Sequence, residues 1–141
     1  TAELFHGEWL RTGDLARKDD RGYIYLVDRR KFMIISGGYN VYPVVIENVL
    51  SEHEAVREIS VFGTPHPEWG EAVTAVISLK PGKSVSSSEL VNFVRPKLGK
   101  WELPKHIEIV EDLPKGVTGK IDKFALRQEF RNNLDRLPWT V

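Results

Sequence analysis

The sequence predicts an α+β fold, a small and mainly antiparallel sheet flanked by helices and preceded by a β-hairpin segment. Three observations predict it. Val73, Ala75, Ile77 and Leu79 fall at alternate positions, as in a strand with one buried face. Ser86 and Glu89 have the S-x-x-E spacing of a capping box, and Leu90, Phe93, Val94 and Leu98 behind them make an apolar helical stripe. Strand-like and helix-like segments follow one another in mixed order after residue 32, which suits a sheet covered by helices.

The elements can be taken in order. Leu15 to Arg17 leads into Lys18-Asp19-Asp20-Arg21-Gly22, a turn composition, and Tyr23 to Val27 is rich in aromatic and β-branched residues. Asp28-Arg29-Arg30-Lys31 is a charged knot that breaks the apolar pattern and marks a candidate domain boundary. Phe32 to Ile35 reads as a short strand, and Ser36-Gly37-Gly38-Tyr39-Asn40 as a loop, since paired glycines favour left-handed backbone. Pro43 suits the first turn of a helix whose apolar face is Ile46, Val49 and Leu50. Ile59 and Val61 suggest a strand, Gly63 to Gly70 a loop, and residues 73–79 a second strand. After Pro81-Gly82 and the capped helix, Ile107 and Ile109 alternate as a third strand. Lys115 to Lys120 reads as a loop, and Asp122 can cap a last helix carrying Leu126 and Phe130.

Composition excludes several classes. The chain has 141 residues, 41% hydrophobic and 28% charged, an ordinary globular balance. No apolar run approaches the roughly 20 residues of a membrane helix, and the first residues do not resemble a signal peptide. With no cysteine, disulfides, thiolate metal sites and a cysteine nucleophile are excluded. A cytoplasmic location follows as the default expectation. Twenty basic and twenty acidic residues balance, which argues against general nucleic-acid binding. Between Arg95 and Arg131 nine basic residues face six acidic ones, a local excess that suits either a phosphorylated small ligand or a solvated surface.

Four stretches carry residue types suited to chemistry. In Gly7-Glu8-Trp9-Leu10-Arg11-Thr12-Gly13-Asp14-Leu15, the Asp14 carboxylate either caps a turn or accepts the two hydroxyls of a ribose. The knot Asp28 to Lys31 is either an exposed linker or a hinge that absorbs backbone rotation. In His66-Pro67-Glu68-Trp69-Gly70-Glu71, Trp69 is either a packing anchor or a stacking surface for a ligand base. In Leu113-Pro114-Lys115-Gly116-Val117-Thr118-Gly119-Lys120, the glycine spacing and Ile121 after the lysine exclude a P-loop, leaving a lysine with free reach on a flexible loop. His6, His53, His66 and His106 show no metal-ligand spacing, so no metal site is expected.

Taken together in order and spacing, GEWLRTGDL, DRRKFMIISGGYNVYP, HPEWGEAV and LPKGVTGK resemble the C-terminal end of the acyl-adenylate-forming (AMP-binding) enzymes, closest to the acyl-CoA synthetases. The resemblance runs from about Gly7 to about Arg131. It implies that residues 1–27 end a large N-terminal adenylation domain, 28–31 form a hinge, 32–133 a mobile C-terminal domain and 134–141 a tail. It places Asp14 on the ribose-binding aspartate, Arg29 on the arginine near ribose and phosphate, Lys31 on the hinge position and Lys120 on the adenylation lysine. It also places Ser36 to Asn40 on the loop that approaches the pantetheine tunnel when the thioester is made, with Ser36, Gly37 and Gly38 as CoA contacts, Trp69 near the CoA nucleotide, and Trp101 and Lys105 as further CoA contacts. Two departures stand out. Val45 occupies a position where the family usually has glutamate, although Glu47 matches, and Lys100 to Lys105 carries fewer basic residues than CoA-binding members often show.

The implied activity is an acid–thiol ligase that uses ATP, Mg2+ and CoA to convert a carboxylic acid first to acyl-AMP and then to a thioester. None of these ligands would be bound by this chain alone, since the phosphate loop and acyl pocket of the family lie in the N-terminal domain. That domain is the expected partner, and Trp9, Tyr23 and Tyr25 would be stranded without it, a route to a homodimer. An acyl-AMP ligase that loads a carrier protein, and a non-catalytic binding or assembly module of the same fold, are the competing functions. The identity of the acid is not legible in this stretch.

Overall fold

The computed structural model describes residues 5–6 and 9–139, and the side chains of 5, 6, 9, 10 and 27 are not among those described. Gly7, Glu8 and the side chain of Trp9 therefore lie outside the described part of the first motif. Strands β1 (Phe5–His6) and β2 (Trp9–Leu10) pair antiparallel. Strands β3 (Asp14–Lys18) and β4 (Ile24–Arg29) form the expected hairpin, with Asp14 opposite Arg29. Its turn is held by Asp19, whose Oδ1 accepts the backbone N–H groups of Arg21 and Tyr23 at 2.9 and 3.0 Å, an Asx-type arrangement. β4 runs two residues past Val27, so Asp28 and Arg29 are strand residues, and the charged knot ends in a 3-10 turn over Arg30–Phe32.

A five-stranded sheet follows. β5 (Ile34–Ser36) and β6 (Tyr39–Val41) are joined by Gly37-Gly38. Both glycines have positive φ, 57° and 84°, the requirement of a two-residue hairpin turn, so the expected loop is a closed turn. β7 (Val56–His66) and β8 (Gly70–Leu79) form the longest pairing. The loop expected over Gly63–Gly70 is mostly strand, and only Pro67 to Trp69 turns the chain. β9 (His106–Val110) runs parallel to β8 along Thr74–Ser78, while β5 meets β8 only at Gly70, so these two share the edge of β8 opposite β7.

Both faces of the sheet are covered. Helices α1 (Pro43–Ser51) and α2 (Ser87–Val94) lie on one face, where Ile46, Leu50, Leu90 and Val94 pack on Val61, Val73, Ala75 and Ile77. Helix α3 (Lys123–Asn132) lies on the other, where Leu126 and Phe130 meet Phe62 and Val76. Phe62 and Phe130 contact edge to face at 5.4 Å. The single buried face expected for β8 is thus corrected: Ala72 to Ser78 are all buried. Ala72, Thr74 and Ser78 hide the second face from a pattern search because they are small or polar, and Thr74 meets Thr64 hydroxyl to hydroxyl at 2.7 Å. The last described residues also pack: Leu137 is buried in the second core, and Trp139 Nε1 donates to the Pro65 carbonyl at 2.8 Å.

Helix ends show how distant residues complete local structure. α2 carries the full capping box, with Ser86 Oγ accepting from Glu89 N and Glu89 Oε2 accepting from Ser86 N. It ends at Val94, so Leu98 packs from the following turn. Asp122 caps α3 by accepting the Ala125 N–H at 2.9 Å. α1 receives no side-chain cap from Tyr42. Asp28 serves instead, its Oδ2 accepting the Val44 N–H at 3.1 Å from the end of the hairpin. Glu47 then ties α1 inward, accepting from Val61 N at 2.9 Å and pairing with Lys123 Nζ at 2.6 Å.

Two outcomes follow for stability. Asp28→Ala removes the cap of α1 and should destabilise the chain by about 1 kcal/mol in urea unfolding, with Asp28→Asn close to the parent. The backbone N–H and then the hydroxyl of Ser86 hold the Glu89 carboxyl below its ordinary 4.5. A depressed folded value means stabilisation that is complete above the unfolded value and lost as pH falls through the folded one. The melting temperature of Glu89→Gln should therefore lie below the parent at neutral pH, and the gap should close as acid protonates Glu89.

Candidate functional site

The first cluster sits where the hairpin ends. Arg29 Nε lies 3.0 Å from Asp14 Oδ1, and its Nη1 donates to the Thr12 carbonyl at 3.3 Å. The facing positions of Asp14 and Arg29 in β3 and β4 make this pair possible. Thr12, Gly13, Arg29, Arg30 and Lys31 line a cleft of about 520 Å³ around it. Asp14 is half-buried and Arg29 is exposed. The cleft lining carries three cations, Arg29, Arg30 and Lys31, and the Asp14 carboxylate sits beside it on Arg29, a set suited to a ligand that carries both hydroxyls and phosphate.

Lys31 also meets the residue that follows it. Its Nζ stands 4.9 Å from the Phe32 ring centroid, and Lys123 Nζ and the Arg127 guanidinium stand 5.2 and 5.6 Å from the same ring. Arg127 Nη1 donates to the Lys31 carbonyl at 2.9 Å. Neither Lys123 nor Arg127 was singled out by the sequence, because both look like ordinary residues on the polar side of an amphipathic helix.

Lys120 stands apart. The expected flexible loop is a tight hairpin: Lys115 and Ile121 bridge, Gly116 N donates to the Lys120 carbonyl at 2.8 Å, and Gly119 N to the Gly116 carbonyl at 3.0 Å. Lys115 pins its base to Glu58 at 2.9 Å, and this carboxylate, then Asp112, raises the Lys115 ammonium above the ordinary lysine value. The backbone of Lys120 is therefore held while its side chain is exposed, with no ion-pair partner among the described residues. Among the described residues no ion pair joins it to Asp14, whose salt-bridge partner is Arg29.

The remaining predicted residues come together around the glycine turn. A Cβ on Gly37 would stand 3.1 Å from Trp101 Cζ3, and Tyr39 stacks on Trp101 at 4.5 Å and 18°. Gly37 N donates to the Trp69 carbonyl at 3.0 Å, while Lys105 Nζ stands 5.0 Å over the Trp69 ring. Ser36 is buried and Gly38 exposed at the tip. One further residue orders this surface. Glu71 Oε2 accepts the Ile35 N–H at 2.9 Å, and its carboxylate lies where a Cβ on Gly63 would come within 2.7 Å. Gly63 is thus a glycine of close approach. Trp69 is not an open plate, since His66 stacks flat on it at 4.0 Å and 5°. No group of three or more His, Asp or Glu able to hold a metal occurs among the described residues.

Comparison with known proteins identifies the family. A family model described as AMP-binding enzyme C-terminal domain matches residues 45–120. The chain is 42% identical to the medium/long-chain-fatty-acid–CoA ligase FadD8 of Mycobacterium tuberculosis, over 92% of this chain and 24% of that protein. It is 42% identical to a long-chain-fatty-acid–CoA ligase of Bacillus subtilis, over 94% of this chain and 24% of that protein. ATP-bound MatB from Rhodopseudomonas palustris superposes with a TM-score of 0.86 at 34% identity, covering 94% of this chain and 26% of MatB. The chain spans about a quarter of the length of the relatives it matches. With more than half of its residues matched by the family model, and the α+β sheet, hairpin and glycine turn in the expected places, the chain belongs to the AMP-binding enzyme C-terminal domains.

Proposed function

We propose that this chain is the mobile C-terminal part of an acyl-CoA synthetase, in which Lys120 serves adenylation and the Ser36–Gly38 turn serves thioester formation. The observation that carries the proposal is the presence of two built turns: one holds the backbone of an exposed Lys120, and the other is a glycine turn backed by Trp101. A larger adenylation domain of the same protein supplies the acyl pocket and would cover Ile24 and Leu26, now 69% and 75% exposed on the hairpin. Without that cover the same apolar strip would join two copies of the chain. The cytoplasm is the proposed setting.

In the first step a carboxylate oxygen of the acid attacks the α-phosphorus of ATP, and the bond to pyrophosphate breaks. Two anions approach, and the Lys120 ammonium offsets their repulsion by lying between them, a positioning and electrostatic role without proton transfer. Lysine suits this as a compact charge on a long stem. Asp14 accepts the ribose hydroxyls and Arg29 orients Asp14 while facing phosphate. The charge of the leaving phosphates would be shielded by Mg2+ bound to ATP. In the second step the CoA sulfur attacks the acyl carbon and AMP leaves with the bonding pair. Rotation about Lys31 withdraws Lys120 and brings the Ser36–Gly38 turn to the acyl-adenylate, with Trp69, Trp101 and Lys105 along the nucleotide of CoA. Tyr39 joins Trp101 in that surface.

In the protein that carries this chain behind its adenylation domain, Lys120→Ala should lower carboxylate-dependent pyrophosphate exchange by about a hundredfold or more. Equal exchange would remove Lys120 from the site. Gly37→Ala forces a Cβ onto Trp101 and a positive φ on alanine. Strain of about 1.4 kcal/mol would slow thioester formation from preformed acyl-AMP about tenfold and leave pyrophosphate exchange intact.

A further inference from the structure

The backbone around Lys31 is held on both sides, by different parts of the chain. On the upstream side the Arg30 N–H donates to the Gly13 carbonyl at 2.9 Å, beside the Arg29 contacts to Thr12 and Asp14. These tie the chain to the β3–β4 hairpin as far as the amide nitrogen of Arg30. On the downstream side the Lys31 carbonyl is held by Arg127 from α3. Between the two fixed points lie the φ and ψ rotations of Arg30 and Lys31, with the Arg30 carbonyl between them accepting the Met33 N–H at 3.3 Å in the 3-10 turn.

Arg127 is built into its place. It follows the core residue Leu126 on a helix whose Phe130 is fully buried, so its Cα moves with the sheet. Its guanidinium lies over Phe32, and its Nε is buried without a hydrogen-bond partner. Burial and then neighbouring Arg131 lower its ionisation from the ordinary arginine value, with Glu71 opposing them, and arginine remains charged regardless. Burying part of a cation without an ion pair of its own is costly, and the Lys31 carbonyl is the group that the cation meets.

We propose that Arg127 is a positioning residue that clamps the Lys31 carbonyl to α3 and confines rotation of the proposed hinge to Arg30 and Lys31. The clamp deepens the hinge reading above and is testable apart from it. A hinge bounded on both sides returns the domain to defined orientations, whereas a loose one would smear them. The contribution required of Arg127 is a donor at that carbonyl, which a side chain of similar bulk without a donor cannot make.

Digestion of the 141-residue chain with a lysine-specific endoprotease reads the clamp directly, because Lys31 C=O is the scissile carbonyl. Release of the fragment ending at Lys31 should quicken about tenfold in R127M, with cleavage after the other lysines unchanged. R127K, which restores a donor, should return to within about threefold of the parent. R127L, which also lacks a donor, replaces R127M and is read the same way if R127M does not fold. Unchanged release at Lys31 in R127M, equal release in R127M and R127K, or cleavage at every lysine in both R127L and R127K would overturn the proposal. Digestion involves neither ATP nor acid. Its failure would leave the Lys120 assignment standing, and failure of pyrophosphate exchange would leave the clamp standing.

Discussion

Strand β8 presents no face to water from Ala72 to Ser78, and the placement of the other elements follows from that constraint. β7 occupies one of its edges, and β5 and β9 divide the other. The two faces then need separate covers: α1 and α2 supply one, and α3 with Leu113 and Leu137 the other. Parallel pairing of β9 with β8 is a consequence, because α2 carries the chain across the sheet before β9 begins. Small and hydroxylated residues in β8 let covers on both sides approach closely, and the Thr64–Thr74 pair satisfies hydroxyls that would otherwise be buried alone.

The proposed chemistry sits at the margins of this frame rather than within it. The glycine turn emerges from β5 at the point where that strand meets Gly70, and Glu71 one residue later fixes its approach. The Lys120 hairpin grows from the end of β9 and leads into the cap of α3. The Asp14–Arg29 pair belongs to the separate two-stranded hairpin, joined to the frame by the Asp28 cap of α1 and by the short turn over Arg30–Phe32. Each surface is therefore held by its own hydrogen bonds, while the hairpin meets the frame through the Asp28 cap and the short turn.

Much of this was legible in the sequence, and the failures have a common cause. The capping box, the Asp122 cap, Pro43 at a helix start and the glycine turn are local signals, encoded within a few residues, and the structure has all four. The second buried face of β8 was hidden because alanine, threonine and serine do not read as core. The strand over Gly63–His66 was masked by a glycine and a proline, which the edge position of β7 tolerates. Arg127 reaches Lys31 across 96 positions, and Glu47 reaches Lys123 across 76, distances over which a single sequence carries no pairing signal. Of the candidate site, residue types and motif order were readable, whereas their grouping into three surfaces and the supports Glu71, Tyr39 and Asp28 belong to tertiary structure.

The stacked aromatic pairs have an optical consequence. Trp101 lies against Tyr39 and the glycine turn, while Trp69 and Trp139 both meet the imidazole of His66. Indole emission is sensitive to neighbouring rings and to the charge on an adjacent imidazole. The molecule thus carries intrinsic fluorophores at the two turns flanking β5 and β8, and a spectrometer can follow those turns without an attached label.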